Sequence, residues 1–324
     1  MPSLDDIKKP IKEELKKFDA NFPSLLKSDV PLLNIVTNYI IRRKGKQMRP
    51  MFVFLTAKTL GDINGSTHTA ASLIELLHTA TLIHDDVVDE SFERRGFLSI
   101  NALWHSKIAV LMGDYLLAKG LLLAVKKNEF QLLELVSDAV REMSEGELLQ
   151  IQKSRKLNIT EEQYFEVIRK KTAALISACT SCGAKSVNAN ASILDSMKLF
   201  GEYVGIAFQI RDDLFDYEKT TLIGKPTGND IKEKKLTLPL IYALEKSSTQ
   251  ERKKIIHTIS RHNKNTVKVK EIIEFVKQKG GLDYSEKKMK EYKNKAIDII
   301  KNIPESESKK ALIQLVEFTT TRKK

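Results

Sequence analysis

SLIELLHTATLIHDDVVD, residues 72–89, decides the fold class. Its apolar residues keep the helical period, and it ends in Asp85, Asp86 and Asp89. A second stretch, VGIAFQIRDDLFD at 204–216, repeats the design and ends in Asp212, Asp213 and Asp216. Both endings read DDxxD. On a helix, positions i and i+4 share a face, so each trio projects together. Like charges packed this closely repel. The arrangement makes sense around a hard divalent cation. Magnesium takes oxygen ligands, keeps several waters and is commonly shared with substrate phosphates. An acidic helix end in solvent is the plain alternative for one such motif. Two motifs that both follow apolar runs argue against it, because buried carboxylates need cations or partners.

Working outward, helical periodicity continues through the chain. Helix-length segments cover Leu73–Asp89, Gln131–Gln152, Glu161–Cys182 and Ser192–Tyr217, and strand signals are almost absent. Interruptions are expected at Asn21–Ser24, Lys44–Gln47, Gly61–Ser66, Arg94–Ser99, Lys153–Thr160, Thr220–Asn229 and Arg261–Asn265. No low-complexity linker divides the chain. Residues 1–324 therefore read as one all-α domain. The lysine-rich last quarter reads as a peripheral helical layer without assignable chemistry.

The bulk numbers fit a globular protein with 42% hydrophobic and 30% charged residues. A net charge of +12 favours anionic partners, although most of the lysines read as solvated surface. Two cysteines, Cys179 and Cys182, imply no disulfide framework and a reducing, cytoplasmic setting. The N-terminus carries no apolar signal core. The apolar run from Ile108 to Val125 contains Asp114 and Lys119, so a buried helix is expected there in preference to a membrane span. Cys179 and Cys182 form a CxxC inside an apolar helix, and core packing is the expected role. The faces Leu111–Val125 and Leu132–Val140 are candidates for a subunit interface.

Cations accompany each acidic motif. Lys46 and Arg49 stand at a helix start, Arg94 and Arg95 follow the first trio, and His78 lies about two turns before Asp85. Lys171 with Thr172, Lys225 and Lys235 complete the set. Lysine as a point charge and arginine as a planar fork both suit phosphate. Metal-bridged carboxylates can hold one diphosphate, and a metal-free cationic nest can hold another.

These pieces, in order, are GKQMRP (45–50), HTATLIHDDVVDESFERRG (78–96), MGDYLL (112–117), EGELLQ (145–150), KTAAL (171–175), FQIRDDLFD (208–216), GKPTGND (224–230) and KKLTLP (234–239). Together they resemble the trans-polyprenyl diphosphate synthase family. The resemblance implies a helical bundle around a central cavity, and a homodimer. It implies that Asp85, Asp86, Asp89, Asp212, Asp213 and Asp216 bind about three Mg²⁺ ions. Arg94, Lys171, Lys225 and Lys235 would hold the allylic diphosphate. Lys46, Arg49, His78 and Arg95 would hold isopentenyl diphosphate. Thr172 and Gln209 would sit beside the reacting carbons. Three steps differ from the usual pattern: Lys44-Gly45-Lys46, Phe97-Leu98-Ser99 and Glu233-Lys234-Lys235. The last leaves Lys234 and Lys235 as alternatives.

The implied reaction ionises the allylic carbon–oxygen bond. The isopentenyl double bond attacks the cation, and a proton is lost to the departing diphosphate. The tail should run back along the helix that ends in Asp85. Thr81 and Ala80, small residues about 6–7.5 Å along the axis, leave that level open. Leu77, Ile74 and Leu73 lie deeper and would form the pocket, with Phe52 and Met112 as floor candidates. A hexaprenyl-to-octaprenyl product, suited to a quinone side chain, is expected. The competing readings are a short-chain farnesyl or geranylgeranyl synthase, a class I terpene cyclase and a catalytically dead partner subunit. A cyclase needs no second cationic nest and usually lacks a second DDxxD. A nucleic-acid-binding module would interleave aromatics with its basic patches, which is not seen, so no nucleic acid is expected. Membrane contact is expected to be at most transient.

Overall fold

The computed structural model describes residues 3–42, 45–94, 97–218 and 227–321, apart from the Arg94 side chain. The helices are α1 (Leu4–Lys8), α2 (Lys12–Leu25), α3 (Pro31–Ile41), α4 (Met48–Leu60), α5 (Gly65–Val88), α6 (Ile100–Lys126), α7 (Phe130–Lys156), α8 (Glu161–Ile168), α9 (Ala174–Ser186), α10 (Ala191–Phe215), α11 (Asn229–Lys232), α12 (Leu238–Glu245), α13 (Thr249–His262), α14 (Thr266–Gln278), α15 (Gly281–Ile300) and α16 (Glu307–Thr321). A two-residue hairpin pairs Glu93–Arg94 with Phe97–Leu98. The all-helical expectation holds.

Local chemistry sets the helix starts. Asn64 and Thr67 form a capping box at α5, and Thr160 and Gln163 form one at α8. The Asn190 side chain accepts from the Ile193 amide to begin α10. Two sequence readings need correction. Asn21–Ser24 is not a break, because α2 runs through it with Pro23 in its last turn. The expected helix Glu161–Cys182 is interrupted by a π-helical turn, Arg169–Ala173, between α8 and α9.

α5 packs along α6, α4 and α9, while α10 packs along α9 and α15. One buried cluster joins α2, α4, α5, α6, α9 and α16. Another joins α8 and the end of α10 to α12–α15. α6 corrects a further expectation, since only one side of it is buried. Leu103, Val110, Leu111, Leu121, Leu122 and Val125 are exposed. By length and composition alone α6 is apolar enough to cross a bilayer.

Candidate active site

Between α2, α4, α5, α7, α9 and α10 lies a cavity of about 1360 Å³. This exceeds the range of about 300–1,000 Å³ usual for small-molecule sites. Asp85, Asp86, Lys46, Arg49, His78, Lys171 and Thr172 all line it. Phe18, Phe22, Phe52, Leu175, Ile176, Val204 and Phe208 supply much of its apolar wall. A smaller chamber of about 130 Å³ adjoins it and shares Lys171 and Thr172. Gln209, Asp213, Asp230 and Lys235 line that chamber.

Asp213 of the second trio is held by a hydrogen-bonded chain. Thr172 donates to Gln209 Oε1 at 2.7 Å, and the Gln209 amide donates to Asp213 Oδ1 at 2.8 Å. The buried Tyr164 hydroxyl donates to Asp213 Oδ2 at 2.7 Å. Burial raises the Asp213 carboxyl above the ordinary carboxylate range, even though these bonds oppose the rise. Asp230 is raised by burial too, and by the charges of Asp213 and Asp216. Asp216 stands apart. Its two oxygens accept the Asn229 amide at 3.0 Å and the Asp230 amide at 2.9 Å. In this geometry it braces the start of α11.

Lys171 is held by Glu147 at 2.5 Å and Gln150 at 2.6 Å. Lys235 pairs with Glu233 at 2.6 Å. Burial works against its charge, but Glu233 and the nearby Asp89 and Asp230 outweigh this and raise its pKa. Lys235 thus feels Asp89 of the first trio together with Asp230, and Asp230 in turn feels Asp213 and Asp216 of the second. Lys234 instead donates to the Ser260 carbonyl at 3.0 Å, which leaves Lys235 at the site. Asp89 is exposed, Asp85 and Asp212 are half-buried, and Asp86 is buried. Arg95, Lys225 and the side chain of Arg94 lie outside the described residues.

The expected chain-length residues divide here. Thr81 lines the large cavity, as does Phe52. Ala80, Leu77, Ile74, Leu73 and Met112 are buried but do not line it. Leu73, Leu77, Ala80 and His84 follow helical spacing along one stripe. That stripe faces α6: a methyl group on Gly120 would meet Leu73 at 3.3 Å and Leu77 at 3.4 Å. The cavity uses another face of α5, which presents Glu75, His78, Thr79 and Leu82.

Sequence reasoning missed Asp230, Tyr164, Glu147 and Gln150. Asp230 lies in GKPTGND, and Glu147 and Gln150 lie in EGELLQ, so those three were within quoted motifs. Tyr164 carries no local signal. The last quarter is also less remote than its composition suggests. Thr319 lines the cavity, and Lys46 Nζ sits 5.3 Å from the Phe318 ring centroid.

The donor set suits Mg²⁺. Asp85 and Asp86 offer hard oxygens at the large cavity, and Asp213 and Asp230 are buried carboxyls that a cation would compensate. Among the described residues, no three Asp, Glu, His or Cys side chains converge to hold an ion unaided. Water and diphosphate oxygens would have to complete the coordination, which is the habit of this ion.

Comparison with known proteins agrees with this geometry. Residues 30–276 match the family model for polyprenyl synthetase. The chain is 34% identical over 321 residues to an octaprenyl diphosphate synthase of Haemophilus influenzae, covering 99% of this chain and 97% of that one. The crystal structure of a decaprenyl diphosphate synthase from Rhodobacter capsulatus superposes with a TM-score of 0.93 at 32% identity, covering 98% of each chain. That of a geranylgeranyl pyrophosphate synthase from Bacteroides thetaiotaomicron superposes with a TM-score of 0.84 at 39% identity, again covering 98% of each. With Asp85 and Asp86 on the wall of the apolar cavity and Asp213 in the chamber beside it, this chain belongs to the polyprenyl synthetase family of prenyltransferases.

Proposed function

We propose that this prenyltransferase condenses isopentenyl diphosphate onto an allylic diphosphate, with Mg²⁺, to give an all-trans hexaprenyl-to-octaprenyl product for a quinone side chain. The observation that carries the proposal is the cavity of about 1360 Å³ with carboxylates and cations on its polar wall. From Asp85 to Glu75 it follows α5 for about 15 Å. The size suits a long hydrocarbon, and the octaprenyl synthase relative supports the same range.

In this reading Asp85, Asp86, Asp89, Asp212, Asp213 and Asp216 hold Mg²⁺ on the allylic diphosphate, with Asp230 beside them. Bound Mg²⁺ supplies positive charge to the leaving diphosphate. Lys171 and Lys235 add charge to the same group, and Lys225 and Arg94 are assigned there by motif. Lys46, Arg49, His78 and Arg95 hold isopentenyl diphosphate. Thr172 and Gln209 turn their dipoles toward the cationic carbons. The phenylalanines along the wall keep water from the cation. Holding both substrates end to end supplies orientation.

A homodimer through the outer face of α6 belongs to the same proposal. Six exposed apolar side chains on one helix form the kind of surface that a second copy covers. The two buried thiols suit a reducing cytoplasm.

A short-chain product is the second reading. It is favoured by the 39% identity to the Bacteroides geranylgeranyl pyrophosphate synthase and by the phenylalanines on the wall. Purified protein incubated with Mg²⁺, farnesyl diphosphate and labelled isopentenyl diphosphate separates the readings. Products of six to eight units support the first, and a stop at four units supports the second. Absence of Mg²⁺-dependent incorporation would remove both.

A further inference from the structure

The π-turn Arg169–Ala173 carries Lys171 and Thr172, the two residues that line both chambers. A π-turn is rare and is found frequently at functional sites. Here glycines from two helices press against it. A methyl group on Gly146 of α7 would lie 2.6 Å from the Lys171 amide nitrogen and 2.8 Å from Lys170 Cβ. A methyl group on Gly205 of α10 would lie 2.4 Å from Ala173 Cα. Both obstacles include backbone atoms, so neither clash is relieved by a side-chain rotation.

Ion pairs flank the Gly146 contact. Glu142 meets Arg169 at 3.1 Å, Glu145 meets Lys170 at 2.6 Å, and Glu147 meets Lys171 at 2.5 Å. The π-turn is thus seated by backbone contact and tethered at three successive residues. Beyond it, Thr172 opens the hydrogen-bonded chain through Gln209 to Asp213.

We propose that Gly146 and Gly205 are positioning residues: they clamp the π-turn between α7 and α10 and so set where Lys171 and Thr172 meet the allylic diphosphate. The proposal rests on the reading that Lys171 binds that group. A shift of the turn by a fraction of an ångström moves both side chains and leaves the isopentenyl site, on α4 and α5, in place.

The test is steady-state kinetics on Gly146→Ala and Gly205→Ala, with each substrate varied in turn. We expect KM for the allylic diphosphate to rise, or kcat to fall, by about tenfold or more, with KM for isopentenyl diphosphate unchanged. Gly201→Ala is the matched control. It sits one turn earlier on α10, and its added methyl would meet Ser177 Cα of α9 at 2.6 Å, away from the π-turn. It should lower the melting temperature without changing the ratio of the two KM values. If either folded clamp variant keeps wild-type kinetics, or shifts both KM values equally as Gly201→Ala does, the proposal is overturned. Should the clamp variants not fold, the half-buried tethers decide. Glu142→Gln with Glu145→Gln should raise the allylic KM alone by about twofold to threefold, and no change would overturn the clamp. Lys171→Ala separates the two failures. Without an effect on allylic KM it removes the underlying reading, and with one it leaves the clamp to stand or fall by itself.

Discussion

Lys46 Nζ lies 5.3 Å from the centroid of the Phe318 ring, so the last helix reaches the cationic nest assigned to isopentenyl diphosphate. A ring face attracts an ammonium and restricts where it can sit. At an exposed site such a contact contributes about 0.5–1 kcal/mol. Phe318→Leu keeps most of the apolar volume and removes the ring. It should raise KM for isopentenyl diphosphate by about twofold to fivefold and leave the allylic KM unchanged. Equal change in both would show that α16 acts only through general packing.

Product length should follow the cavity wall and ignore the α6-facing stripe. Thr81→Phe narrows the wall and should shorten the product, whereas Phe52→Ala should lengthen it. Ala80→Phe forces a ring into the packed stripe and should cost about 1–3 kcal/mol of stability. Chromatographic sizing of products and thermal melts check this. A shorter product from Ala80→Phe with an unchanged melting temperature would contradict the stripe.

The buried carboxyls predict a pH dependence in metal-free protein. Burial raises Asp213 and Asp230 above the values that they have in an unfolded chain. Between those values the folded state binds protons that the unfolded state has released. This contribution to stability is full at low pH and is lost as pH rises through the raised folded values. The melting temperature of wild type minus that of Asp230→Asn should therefore fall between about pH 5 and about pH 8. A difference that is flat or rising would place the carboxyl in water. Mg²⁺ with inorganic diphosphate should restore the wild type at the alkaline end.

Neither cysteine should behave as a redox or metal-binding thiol. Burial pushes the Cys179 thiol up to about 12 and raises Cys182 as well. The thiolate is the reactive form. At about pH 8 the folded protein should not react with Ellman's reagent, and both thiols should react after denaturation. Prompt reaction of the native protein would return the CxxC to consideration.

The repeated DDxxD endings, the cations near them and the unbroken helical period were legible in the sequence because each depends on residue type and short spacing. Those local terms gave the all-helical architecture and the family, and they named the candidate site. Tertiary contact decided the rest. Which face of α5 meets the cavity depends on where α6 docks, and Gly120 allows that docking against Leu73 and Leu77. That Asp216 braces α11 depends on Asn229 and Asp230, whose amides fold back onto it. The π-turn that aims Lys171 depends on Gly146 and Gly205, which are distant in sequence and meet the turn only after α7 and α10 have packed against it. Spacing along a helix determines which side chains travel together. The direction in which they point is set by the neighbour that excludes water from the other side.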